Sequence, residues 1–216
     1  MRKVVLLLAI LLIPGIAYLI LQTGKNNYQT LEIFGPKEPV PNSAKPDTIY
    51  HHIADFSFIS QDSSIVTQET VKNKIYVADF FFSTCKSICP KMTNHLMRVQ
   101  NAFKDEADVV IISHTVDPEN DTPPVLAKYA EKHKAIVGKW FFVTGDKKQL
   151  YDLARNSYYI TAMPGDGTGD DFIHSEKMVL IDKDKRIRGF YDGTDYFEIT
   201  RLIEEVKVLQ YEYSKK

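Results

Sequence analysis

The chain has 216 residues, 27 basic and 28 acidic side chains, a formal net charge of −1 and 44% hydrophobic residues. A balance this close to neutral leaves no basic footprint for nucleic acid, and the length suits one domain with a sizeable core. No internal repeat or low-complexity block interrupts it.

Arg2 and Lys3 precede residues 4–21, an apolar run of 18 residues without a charge. That is about the minimum for a helix across roughly 30 Å of hydrocarbon, and the two cations are expected to stay cytoplasmic. The small-x-small triplet Gly15-Ile16-Ala17 falls inside the run, which is longer than most signal h-regions. Residues 1–22 are therefore expected to be an uncleaved anchor rather than a removed signal peptide. The remainder would face the periplasm of a single-pass inner-membrane protein, where disulfides can form. Residues 23–46 are polar, contain Pro36, Pro39, Pro41 and Pro46, and follow neither helical nor strand periodicity, so they read as a tether. Residues 47–216 remain as one domain.

Inside that domain, strand and helix patterns alternate. Residues 75–82 read as a buried strand and residues 91–103 as a helix with Met92, Leu96, Val99 and Phe103 on one face. A strand over 108–115 follows, then a helix opening at Pro123 with Thr122 as its cap. A strand over 140–144 precedes a helix capped by Asp146. Strands over 177–181 and 186–191 are joined by the hairpin turn Asp182-Lys183-Asp184-Lys185. Asp195, with Glu198 three residues on, opens a last amphipathic helix through Ile199, Leu202, Val206 and Leu209. The order is α/β and thioredoxin-like: a β-α-β unit, a helix-strand-helix insertion and a closing β-β-α unit.

The only two cysteines, Cys85 and Cys89, lie between the first core strand and its helix. Pro90 suits a first helical position, which sets both sulfurs near a helix N-terminus. The helix dipole there, with Lys86 and Lys91 nearby, is expected to depress both thiol pKa values and make the pair reactive. A structural disulfide is the alternative, although closing so short a loop removes little chain entropy. The Gly- and Asp-rich stretch 161–171 fits neither a phosphate loop nor a calcium loop, because no strand-to-helix glycine pattern and no terminal Glu spacing are present.

Three motifs together carry a resemblance: Cys85-Lys86-Ser87-Ile88-Cys89-Pro90 after an aromatic strand, Thr115-Val116-Asp117-Pro118-Glu119-Asn120-Asp121-Thr122, and Phe172-Ile173-His174-Ser175 running into Met178-Val179-Leu180-Ile181-Asp182. In this order and at these separations the chain resembles the Sco/SenC family over nearly the whole 47–216 domain. The resemblance implies a membrane-anchored thioredoxin fold that binds copper and helps build the dinuclear copper centre of cytochrome c oxidase. It maps the copper ligands to Cys85, Cys89 and His174, with a copper-bearing oxidase subunit or another copper/thiol protein as partner. Many members carry an acidic residue immediately before that histidine, where this chain has Phe172-Ile173. Two thiolates suit Cu(I), and an added imidazole lets the site hold Cu(II) as well. Zinc would accept the same trio, so the resemblance decides for copper. His114, at the end of the 108–115 strand, and Asp117, in the loop after it, are candidates to orient a ligand or partner; Asp117 equally suits turn formation before Pro118. Met92 and Met97 offer soft sulfur, with Met92 on the core stripe. His51, His52, His95 and His133 read as structural or solvated. A thiol-disulfide oxidoreductase acting on copper-site cysteines and a copper or redox sensor stay open as alternatives.

Overall fold

The structure, a computed structural model, describes residues 12–16, 30–41, 48–160 and 175–215. Within the expected anchor only residues 12–16 are described; they are helical, with Leu12, Ile13 and Ile16 exposed. Among the described residues no helix is long and apolar enough to cross a membrane. The rest of the anchor, the first part of the tether, the 161–171 stretch and His174 lie outside the described residues.

Beyond residues 12–16, nine strands, four α-helices and one π-helical turn organise the described residues. Strands β1 (Lys37–Pro39) and β2 (Thr48–Tyr50) form a separate ribbon. Strands β3 (Ser57–Ser60), β4 (Ile65–Thr67), β5 (Ile75–Phe81), β6 (Val109–Thr115), β7 (Trp140–Thr144), β8 (Lys177–Ile181) and β9 (Ile187–Asp192) form one sheet in the order β4-β3-β7-β6-β5-β8-β9. The centre, β7-β6-β5, is parallel, and β3, β8 and β9 add antiparallel neighbours. Both β5 and β6 are buried along their whole length, as parallel strands covered on two faces must be. Ile75, Val77 and Phe81 point into one core with α1 (Cys89–Ala102) and α4 (Tyr196–Ser214); Tyr76, Ala78 and Phe80 point into the other with Phe56, Phe58, Leu150 and Tyr158. The fold is mixed α/β and thioredoxin-like.

Helix starts follow local chemistry. Asp146 accepts the Gln149 N–H at the start of α3 (Lys147–Asp152), and Asp195 accepts from Phe197 and Glu198 N–H at the start of α4. Thr122 holds the N-cap backbone of α2 (Pro123–Lys132), but its hydroxyl makes no cap bond. Past α3 the chain continues into a π-helical turn, Leu153–Ser157. The β3–β4 hairpin escaped the sequence reading because its strands are short and hold their register through partners far along the chain, Ile59 and Ser60 lying opposite Thr144 and Val143.

The tether boundary also moves. The chain joins the folded body near residue 31 rather than 47, because Phe34 pairs with Ile187 on the free edge of β9. Its ring packs edge-on to Phe190 at 5.5 Å.

Candidate metal centre

The cysteine loop leaves the carboxyl end of β5, where the aromatic strand stops. Helix α1 begins one residue earlier than Pro90 suggested: Ile88 is the N-cap, makes no side-chain cap bond, and leaves Cys89 at the first helical position. The missing cap is replaced by sulfur. Cys85 Sγ accepts the Cys89 N–H at 3.5 Å and lies 3.6 Å from Ser87 Oγ, so an orphan donor of the helix end points at the sulfur that can hold negative charge. Both cysteines are free thiols, Cys85 half-buried and Cys89 buried.

Their ionisation corrects the expectation of two depressed thiols. Burial opposes the Cys85 thiolate, but hydrogen bonds from Cys89 and Ser87 outweigh it and lower the pKa. Cys89 goes the other way. Burial, aided by donation of its own S–H to Cys85, pushes it up to about 12. The loop therefore holds one half-buried sulfur that ionises more readily than an ordinary thiol, backed by a buried one that ionises less readily.

Asp121 fastens this loop to the sheet. Its carboxylate accepts the Ser83 N–H at 3.1 Å, the Ser83 hydroxyl, and the Thr115 hydroxyl at 2.5 Å, and it is fully buried. One side chain thus ties the approach to Cys85 to the end of β6. Asp121 was read only as part of a motif, since nothing in its sequence position reports a partner 38 residues away. Asp117, 5% exposed, is held by Asn120 Nδ2 at 3.1 and 2.9 Å, and its main-chain carbonyl accepts from Asn120 and Asp121 N–H. These contacts make it a brace of the β6–α2 turn.

His114 needs a correction. Strand alternation turns it to the sheet face opposite Cys89, where it stacks on Phe80 at 4.9 Å and meets Phe56, Phe58 and Tyr158. Nδ1 lies 3.4 Å from Asp79 O, Nε2 has no partner, and burial lowers its pKa to about 4. It is a neutral core residue. Asp79, by contrast, is on the α1 side. Its carboxyl takes a 2.5 Å bond from Ser113 Oγ, which also receives Trp140 Nε1 at 2.9 Å. Burial raises Asp79 to about 7, and its charge contributes to the upward shift at Cys89.

The other candidates have structural posts. Met92 is 1% exposed and Met97 packs on the α1-side core. His95 Nδ1 contacts Gly193 O at 2.8 Å, His133 packs on Tyr129, and His51 bridges Ser157 O and Tyr159 OH. Among the described residues no three His, Cys, Asp or Glu side chains converge as a metal site.

Comparison with known proteins covers the stretch of chain that holds this loop. The SCO1/SenC family model matches residues 44–210. The SCO1 protein homolog of Bacillus subtilis (strain 168) is 33% identical over 163 residues, covering 74% of this chain and 84% of its own length. BsSco, a solved member of the Sco family of cytochrome c oxidase assembly proteins in which a disulfide switch was identified, superposes with TM-score 0.64 at 33% identity, over 74% of this chain and 93% of that chain. Arabidopsis thaliana ScoI, solved with copper bound, gives TM-score 0.58 at 26% identity, over 71% of this chain and 97% of that chain.

Proposed function

The chain belongs to the SCO1/SenC family, and from that premise we propose that it is a membrane-anchored copper chaperone for cytochrome c oxidase. It carries copper as cargo on Cys85, Cys89 and His174 and gives it to the dinuclear copper site of the oxidase's copper-bearing subunit. The observation that carries this reading is the asymmetric sulfur pair at the start of α1, Cys85 partly open to an incoming partner with its pKa lowered and Cys89 buried with its pKa raised. Such a pair suits a soft monovalent ion. The third ligand, His174, is taken from the family resemblance; what supports it is that β8, the strand after it, is a direct neighbour of β5, the strand before the cysteine loop, with Val179 opposite Ala78. A set of three protein donors leaves room for an acceptor's ligand to enter before the last donor leaves.

Titration of the full-length protein, anaerobically with Cu(I) and aerobically with Cu(II), tests the ligand set. Cys85→Ser and Cys89→Ser should each abolish stable binding of both ions. His174→Ala should impair Cu(II) far more than Cu(I), since two thiolates alone hold Cu(I). Full retention of both ions by His174→Ala would remove it from the site.

One observation favours a second reading. A partly open thiol with a lowered pKa, backed by a buried thiol, is also an attacking and resolving pair for thiol-disulfide exchange, by which the protein could keep the acceptor's cysteines reduced. That chemistry has no use for His174.

A further inference from the structure

The N-terminal segment does not merely drape over the domain; it is clamped there. Arg188, 4% exposed, donates from Nη2 to Leu31 O at 2.7 Å and from Nε to Glu32 O at 3.2 Å. The same guanidinium pairs with Asp182, fully buried, and with Glu212, each at 2.9 Å. Glu212 in turn accepts the Leu31 N–H at 2.8 Å, and Phe34 N–H reaches Ile187 O at 2.9 Å. An arginine this buried needs its charge matched and its donors filled. Here two carboxylates meet the first need, and the main chain of Leu31 and Glu32 completes the second.

The clamp has a definite address. The β8–β9 hairpin lies at the amino end of β5, because Ile181 pairs with Tyr76. The end of α4 reaches the same pole, where Tyr213 OH donates to Asp184 at 2.8 Å. Helix α1 runs from the opposite pole, with Cys89 at its start and Ala102 at its end, a separation of about 20 Å at 1.5 Å per residue.

We propose that the Arg188 clamp fixes the point where the anchor chain meets the domain at the pole opposite the cysteine loop. The loop then faces away from the bilayer, toward an acceptor whose receiving ligands stand in an extramembrane domain. This rests on the anchored reading of residues 1–22. The clamp also changes the reach. A free tether over residues 23–46 could extend to roughly 80 Å, whereas residues 22–29 span at most about 28 Å, and as a flexible coil average about 15 Å. An average below the pole-to-pole length of the domain keeps the clamped pole nearest the membrane.

Full-length protein in nanodiscs tests this, with a fluorescent unnatural amino acid replacing either Lys91 or Lys104, exposed residues near opposite poles, and an energy acceptor on the lipid headgroups. Transfer should be stronger from position 104 than from position 91, and Arg188→Met should narrow the difference. Hydrogen exchange at the Leu31 and Phe34 amides should accelerate at least about tenfold in Arg188→Met while Val179 and Leu180 stay protected. Glu212→Ala, a change at a partly exposed position, gives the same readout if the first variant folds poorly. Equal transfer from the two positions, stronger transfer from 91, or unprotected Leu31 and Phe34 amides in the unmutated protein would overturn the proposal. A chain that stays out of the nanodisc overturns the anchored reading and the orientation with it, and the exchange data then report on the clamp separately.

Discussion

Cys85 and Cys89 occupy one loop yet ionise in opposite directions, because a helix-end N–H and a neighbouring S–H both point at Cys85, whereas Cys89 has given up its hydration to the α1-side core. Alkylation of the reduced protein with iodoacetamide at pH 8, followed by peptide mapping, should therefore label Cys85 well before Cys89. Equal rates would show that the asymmetry does not survive in solution. Two other buried groups set the pH profile of stability. His114 falls to about 4 in the folded state, so the unfolded chain takes up its proton first, and stability is lost as pH drops from about 6.5 to 4. Asp79, raised to about 7, works in reverse: the unfolded chain loses that proton first, and stability falls as pH rises from about 4 to 7. Asp79→Asn keeps an acceptor for Ser113 and removes the ionisation. Its stability relative to the unmutated protein should thus be greater at pH 8 than at pH 5 by about 2–4 kcal/mol in urea unfolding. An unchanged difference between the two pH values would mean that Asp79 ionises as readily folded as unfolded.

At the scale of elements, the site depends on a junction between the β5–α1 loop and the β6–α2 turn. Asp121 is the common acceptor for donors from both. Asp121→Ala leaves the Ser83 and Thr115 donors unpaired in a buried place, which should lower stability by about 2–4 kcal/mol. It should also weaken Cu(I) binding, although no ligand has been removed. Asp121→Asn retains one acceptor oxygen and should lose less of both. Copper affinity unchanged in Asp121→Ala, in a variant shown to be destabilised, would mean that the cysteine loop holds its geometry without this tie. Asp117 serves as an internal control: its carboxylate is engaged by Asn120 in its own turn, so Asp117→Asn should affect copper binding less than Asp121→Ala.

For the whole molecule, the chaperone and exchange readings separate in the cell. In a strain lacking the gene, His174→Ala should give weak oxidase activity at limiting copper and partial recovery when copper is added. Normal activity at limiting copper would favour thiol-disulfide exchange, which needs Cys85 and Cys89 alone. The anchor belongs to this scale too. Full-length protein should resist carbonate extraction, and protease added to spheroplasts should remove the domain; a released form starting within or after residues 4–21 would count against an uncleaved anchor.

The five strands from Ile75 to Asp192, the helix order and the cysteine loop were legible in the sequence because they depend on local signals: an unbroken apolar run in Ile75–Phe81, helical spacing through Met92, Leu96 and Val99, and Asp195 before an amphipathic stretch. These signals act over a few residues. What tertiary structure alone decided were matters of facing and of distant partners. Alternation along β6 turned His114 away from the cysteines, and burial split two thiols that the helix end was expected to treat alike. Asp121 became a brace only when Ser83 came within reach. Arg188 drew Leu31 to Phe34 out of an apparent tether, since a buried charge must find its partners wherever the fold has brought them, and sequence separation does not report that distance.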